Sequence, residues 1–380
     1  MYSLPDKTKK NKFEFDYLLF FSVILLSVFG IIILSSATTT MSSGTRMVMV
    51  QIISMFLGIG ICLAINFFDY TTFKILSGFL YIIGIALLIA VLIIGEGYET
   101  SGSDRWLVIP VINMSFQPSE IAKIFFILLV SKHFEKLANE VDKMTIIKIA
   151  IFTLIPILLI LRQPDGGTAM TFLVILFVIA FVHGIPFKYI FAIITAAVAA
   201  FPIAWMFILK GYQKDRLLSF IDPSSDIQGA AYQVNRAEMT VGSGRIWGQG
   251  LFSGTQSQSE FGVPVRESDF IFTVIGEELG FIGSALLISL IMFILFRCIY
   301  VALKSKDMYG SYVTIGLTAM LSFNFIQNIG MNIGILPVTG VPLPFVSAGG
   351  SAMVTYYIAI GIIMSVSRRK NNNMFKTTGL

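Results

Sequence analysis

Residues 265–279 read VRESDFIFTVIGEEL, so Glu267, Asp269, Glu277 and Glu278 stand at and just inside the start of an apolar run. A carboxylate at such a mouth has two readings. It can be a general base that takes a proton from a hydroxyl nucleophile, or a helix cap that complements the N-terminal dipole. Asp269 admits both. Glu277 lies about 12 Å further along a helix axis by the rise per residue. Neither it nor Glu278 has a cation in its own run, so the pair reads as an interhelical lock. The cations that can meet an anion lie elsewhere. Arg105 precedes Trp106 in SGSDRW, and Lys123 follows Glu120 by three residues in FQPSEIAK. That spacing equally suits a plain i, i+3 ion pair. Arg216, Arg236, Arg245 and Arg266 surround the glycine-rich VGSGRIWGQG. Arginine forks match phosphate oxygens bidentately. The glycine run is neither G-x-G-x-x-G nor Walker A and no strand–helix unit surrounds it, so a nucleotide site is rejected. Its glycines instead allow backbone N–H groups to approach a ligand. Asp165, in RQPDGGTAM, reads first as turn punctuation.

The elements that must position these groups are membrane helices. Of 380 residues, 56% are hydrophobic and 13% charged, and the mean hydropathy of +0.82 excludes a water-soluble globular domain. Runs near 17–36, 48–68, 74–95, 118–134, 146–161, 169–185, 187–209, 270–303, 310–331 and 345–366 are long enough to cross a hydrocarbon core of about 30 Å. They predict an all-α polytopic membrane protein of about ten transmembrane helices, forming one domain over residues 1–380. The first run outlasts a signal-peptide core and reads as an uncleaved anchor.

Charge sets the expected orientation. With the N-terminus inside, seventeen of the 27 Lys and Arg face the cytoplasm, and the short outer loops hold only Arg46, Arg105 and Arg162. Residues 1–16 and 367–380 are then cytoplasmic, and the 210–269 segment is a large outer loop. Within it, 229–240 is expected to form an amphipathic helix lying on the membrane. The net charge of +5 suits an anionic lipid leaflet better than nucleic acid. Cys62 and Cys298 fall in apolar runs without metal or disulfide spacing. The proline-rich 328–353 stretch ends in a Ser-Ala-Gly-Gly-Ser turn. Non-helical backbone near a membrane belongs on a cavity wall, which makes Ser347 and Gly349 candidate ligand contacts.

An outward cavity lined by cations and one carboxylate fits two function classes. One is a flippase or transporter for a charged lipid headgroup. The other is a transferase that draws its energy from a sugar–pyrophosphate bond already in the membrane, because nucleotide sugars stay in the cytoplasm. With pyrophosphate neutralised as leaving group, a single base on the acceptor hydroxyl suffices. Glycoside hydrolysis, by contrast, usually needs two carboxylates. A lone Asp beside arginines fits the transferase better. A scaffold without activity is a third reading.

The motifs DRW with FQPSEIAK, QPDGGTA, GSGRIWGQGLFSGTQSQ, ESDFIFTVIGEELGF and GILPVTGVPLPFVSAGGS together resemble the SEDS family (shape, elongation, division and sporulation), and GTQSQ tilts the resemblance towards its RodA branch over FtsW or SpoVE. The resemblance runs over nearly the whole chain. It implies a ten-helix fold in the bacterial plasma membrane and polymerisation of lipid II into glycan on the outer face. It also implies a class B penicillin-binding transpeptidase as partner. By motif match the family's essential aspartate falls on Asp269, its loop tryptophan on Trp106, and its motif lysine on Lys123, cast as a pyrophosphate contact. Whether a divalent cation, Mg or Mn, assists the leaving group is left open. Many members read HTDFIF where this chain has Glu267 and Ser268 before Asp269, so no histidine assists the base here. SGSDRW likewise replaces a basic turn.

Overall fold

The computed structural model describes residues 15–95, 105–109, 114–140, 142–186, 229–259 and 262–369, with single positions between 188 and 220. Its helices are α1 (Tyr17–Ala37), α2 (Gly44–Phe67), α3 (Tyr70–Ile94), α4 (Pro118–Asn139), α5 (Lys143–Arg162), α6 (Gly166–His183), α7 (Ala230–Ser243), α8 (Ile271–Leu303), α9 (Met308–Asn332) and α10 (Gly350–Arg368). A short antiparallel hairpin, β1 (Leu107–Ile109) and β2 (Met114–Phe116), precedes α4.

Helix starts follow from local chemistry. Asp16, Asp69, Asp142, Asp165 and Asp307 occupy the N-cap of α1, α3, α5, α6 and α9, and each carboxylate accepts a backbone N–H of the first turn at 2.8–3.1 Å. Pro118 opens α4, where its missing N–H costs nothing. At one end of the bundle three of these aspartates also bind side chains from other parts of the chain. Arg297 meets Asp16 at 3.0 Å, Arg369 meets Asp69 at 3.1 Å, and Tyr70 donates to Asp307 at 2.7 Å.

Nine of the expected spans are helices, and the expected span 187–209 falls largely outside the described residues. Among the described residues seven helices are long and apolar enough to cross a membrane. The exceptions among the expected spans, α4 and α9, sit inside the bundle, where Glu120, Lys123, Asn324, Gln327, Asn328 and Asn332 are all buried. Their neighbours shield them from lipid, so they carry polar groups that a peripheral helix cannot. The amphipathic helix expected over 229–240 forms as α7. Its apolar side packs on protein: Ala237 and Val234 join Val263, Phe270, Met331 and Val338 in a small core of their own.

Helix α8 is kinked at Gly280 (φ 64°, ψ −161°), and the loop after α7 is pinned there. Gln249 and Gly250 N–H donate to the carbonyls of Glu277 and Glu278 at 2.9 Å, while Phe281 N–H donates to Arg245 O at 2.8 Å. The approach is close enough to require glycine. A Cβ on Gly248 (φ 79°) would strike Glu278 O, and one on Gly280 would strike Gly248 N. Gly248→Ala is therefore expected to cost about 1–2 kcal/mol for the left-handed backbone alone, plus the clash, and to lower the melting temperature in detergent. Gly242→Ala, with open space around it in α7, serves as the control: it should leave the melting temperature unchanged or raise it slightly.

Candidate functional site

Three segments meet at the end of the bundle opposite the Asp16–Arg297 pair. The 265–270 turn leads into α8, the 347–349 turn leads into α10, and the start of α2 closes the third side. Gln51 on α2 stitches two of them, donating to Ser347 O at 2.8 Å and accepting from Gly349 N–H at 3.1 Å. Ser347 Oγ donates to Ser268 O at 2.5 Å and accepts from Leu343 N–H at 2.8 Å, and Ala348 N–H donates to Glu267 O at 2.8 Å. A cavity of about 380 Å³ opens between them, lined by Ser43, Arg46, Met47, Val50, Gln51, Trp106, Glu267, Ser268, Ala348, Gly349 and Gly350. It lies at the low end of small-molecule sites. Arg46 and Glu267 give its wall one cation and one anion.

Asp269 stands one residue beyond that wall and is half-buried. It does not occupy the N-cap of α8, which falls on Phe270. Its backbone is what the fold holds: Asn328 and Asn332 of α9 both donate to Asp269 O, at 2.8 and 2.9 Å. Ser268 Oγ reaches its Oδ1 at 3.3 Å, and its Oδ2 lies beside Gly340. The turn leading to it is strained. Val265 is β-branched yet left-handed (φ 53°), a conformation that costs about 1–2 kcal/mol. Hydrogen bonds from Ser268 and Phe270 N–H to its carbonyl hold it there. Such strain persists where the surroundings over-determine it, and it clusters at functional sites.

The residues singled out from sequence separate in space. Trp106 and Gly349 line the cavity, and Ser347 braces it from behind. Lys123 does not reach it: it is 1% exposed inside the bundle and bonded to Glu120 at 2.7 Å. Arg105 turns to Asp165, 3.7 Å away, and donates to Pro164 O at 3.1 Å. Arg266 is a strap, donating to Ala37 O, Ser259 O and Thr40 Oγ1 at 3.0, 3.1 and 2.7 Å. Burial pulls its pKa down and neighbouring Glu267 pushes it back up, and a guanidinium stays charged regardless. Arg245 is exposed on the loop pinned to α8, while Arg216 lies outside the described residues. Arg46 and Gln51 are cavity residues to which the sequence reading gave no site role, and Glu267, noted only as a neighbour of Asp269, also lies on the wall. Arg46 counted only as an outer-loop charge, and nothing local marks a buried Gln51 as a clamp.

Glu277 and Glu278 are locks, although most of what they lock is a loop. Both are fully buried. Glu277 accepts Gln256 and Ser257 N–H at 2.7 Å each, and Glu278 accepts Phe252 N–H at 3.2 Å and Ser36 Oγ of α1 at 2.5 Å. Among the described residues no group of three or more His, Cys, Asp or Glu is arranged to hold a metal ion.

The FtsW/RodA/SpoVE family model, described as a cell cycle protein, matches residues 16–372. Peptidoglycan glycosyltransferase MrdB of Escherichia coli K12 is 38% identical over 290 residues, 76% of each chain. A chain solved in a peptidoglycan synthase complex, described as coordinating polymerization and crosslinking, superposes with a TM-score of 0.80 at 28% identity, covering 93% of this chain and 98% of that one. Thermus thermophilus RodA does so at 0.71 and 25% identity over 96% and 100%. The chain belongs to this family, the SEDS family, and is a polytopic membrane enzyme of the glycosyltransferase class.

The asparagine pair yields a graded test of how the Asp269 turn is held. Asn328 serves both Asp269 O and Val341 O at 2.8 and 2.9 Å, so Asn328→Leu strands Val341 O. It should cost about 1–3 kcal/mol, the penalty for an unsatisfied buried acceptor. Asn332→Leu leaves Asp269 O its Asn328 donor and should cost less, with both read as melting temperatures in detergent.

Proposed function

We propose that this glycosyltransferase polymerises lipid II into glycan strands on the outer face of the bacterial plasma membrane, in the elongation role of its family. Asp269 is the base. Its carboxylate takes the proton of the acceptor sugar 4-hydroxyl, and that oxygen attacks the donor anomeric carbon. The carbon–oxygen bond to the pyrophosphate breaks on the opposite face, so the configuration inverts. Undecaprenyl pyrophosphate departs with its negative charge facing cationic side chains.

The observation that carries this reading is the half-buried carboxylate of Asp269, its backbone carbonyl held by Asn328 and Asn332, one residue from a cavity wall that presents Arg46, Trp106 and Glu267. A rigid carboxylate beside a cation-bearing pocket is what base catalysis with an anionic leaving group requires. Arg46 is the cation on the cavity wall. Lys123, Arg105 and Arg266 are committed to protein partners, so a direct contact to substrate from them would need those bonds to open. Ser347 and Gly349 shape the pocket, and Arg245 meets charge outside it. The basic residues around the N-terminal and C-terminal segments support cytoplasmic termini. A class B penicillin-binding transpeptidase is the proposed partner, supported by the similar chain solved in a peptidoglycan synthase complex. No step here requires a divalent cation.

Replacing Asp269 with Asn keeps the shape and removes the basicity. In proteoliposomes carrying lipid II, glycan polymerisation by Asp269→Asn should fall by at least about 10²-fold, the scale of a lost general base, while binding of lipid II persists. Undiminished glycan synthesis would sink the assignment. Lipid II translocation without any sugar transfer by the unaltered chain would favour the flippase. The same assay with EDTA, and with the transpeptidase added, reports on metal and partner dependence.

A further inference from the structure

The loop pinned at the kink of α8 turns a greasy surface outward. Trp247 is 80% exposed, Phe281 70%, Ile246 58% and Phe252 50%. These residues form one patch, because Phe281 and Ile282 N–H donate to the carbonyls of Arg245 and Ile246 at 2.8 and 3.2 Å. Arg245 is exposed beside them. Contiguous exposed apolar surface of this kind marks an interaction site.

The depth of the patch can be read from two helices. Ile271 to Glu278 are all buried in protein, whereas Phe281, Leu286, Phe293 and Phe296 beyond Gly280 are exposed and apolar. The burial of α8 therefore changes character at the kink. Residues 281–303 then span about 34 Å by the helical rise, close to one hydrocarbon thickness. Helix α1 gives the same answer independently. Its first turn is tied to the far part of α8 through Asp16 and Arg297 at 3.0 Å, and its last turn to the kink through Ser36 and Glu278 at 2.5 Å. The twenty helical rises from Asp16 to Ser36 measure about 30 Å. Both rulers put Gly280, and with it the loop, at the outer edge of the hydrocarbon.

We propose that residues 245–252 are a membrane-interface anchor, with Trp247, Ile246 and Phe252 seated among the outer-leaflet headgroups and upper acyl chains and Arg245 facing lipid phosphate. A bulky indole at that level and a cation that snorkels to phosphate are the residue types that the interface favours. The occupant is the lipid surface. The apolar face continues without a break into the exposed flank of α8, which is itself long and apolar enough to cross a membrane. The anchor has a mechanical consequence that rests on the reading of Asp269 as the base. Glu277 and Glu278 grip the back of the same loop, so the bilayer surface sets the height of Asp269, at most about 16 Å beyond the kink by helical rise.

The test is spectroscopic and independent of catalysis. A chain with Trp106→Phe and Trp205→Phe, leaving Trp247 as sole tryptophan, is reconstituted in phosphatidylethanolamine–phosphatidylglycerol vesicles. Phospholipid brominated near the headgroup should quench its emission at least twofold more than phospholipid brominated near the chain end, and aqueous iodide should quench it weakly. Strong iodide quenching with no bromolipid effect would place the loop in water and overturn the proposal. Protection from both quenchers would place it under protein and overturn it equally. If that chain folds poorly, Ile246→Cys carries a polarity-sensitive fluorophore instead, since Cys62 and Cys298 are buried. Its emission must shift to the blue on reconstitution, and an unshifted, water-like spectrum refutes the anchor.

Discussion

Two carboxylates satisfied by backbone N–H groups, Glu277 and Glu278, fix how the loop after α7 sits on α8. A buried carboxylate is tolerated only when its charge is met. Among the described residues no Lys or Arg meets these two. Instead Gln256, Ser257 and Phe252 N–H point at them, while the helix carbonyls beside them receive Gln249 and Gly250 N–H. The loop thus supplies donors to α8 and takes its own position in return. Charge-assisted bonds of this type are the stronger kind, and removing either partner strands a buried charge.

From that junction the site can be followed outward. The kink at Gly280 lets the loop cross α8 closely. Above it, eight buried residues carry the helix up to Phe270 and the strained 265–270 turn. Asn328 and Asn332 hold the carbonyl of Asp269, and Ser347 and Ala348 hold the carbonyls of Ser268 and Glu267. The backbone of the acidic turn is therefore bonded on two sides, and the side chains of Glu267 and Ser268 line the cavity.

The cations obey a different economy. Lys123, Arg105 and Arg266 carry charges that the protein itself absorbs, through Glu120, Asp165 and three neutral oxygens. Arg46 lies on the cavity wall. A sequence shows how many cations there are and roughly which side of a membrane they occupy. It shows the Lys123–Glu120 pair, three residues apart, but not the partners of Arg105 or most of those of Arg266, which come from segments 59 to 229 residues away.

Composition and run length by themselves determined the class of fold. Hydrocarbon admits only closed backbone hydrogen bonding, so apolar runs of sufficient length must be helices. The position of Asp269 just before α8 was equally legible, because it depends on neighbours within a few residues, but its cap reading fails, since the N-cap is Phe270, and Asp165, read as turn punctuation, caps α6. The polar character of α4 and α9 left their environment undecided until packing placed them inside the bundle. Only the tertiary structure decided that Glu277 and Glu278 grip a loop, that Gln51 clamps the 347–349 turn, that Arg46 and Glu267 line the same cavity, and that Trp247 points away from the protein. Each of these depends on which distant segments touch. That contact is set by the summed packing of the whole bundle, and no local pattern encodes it.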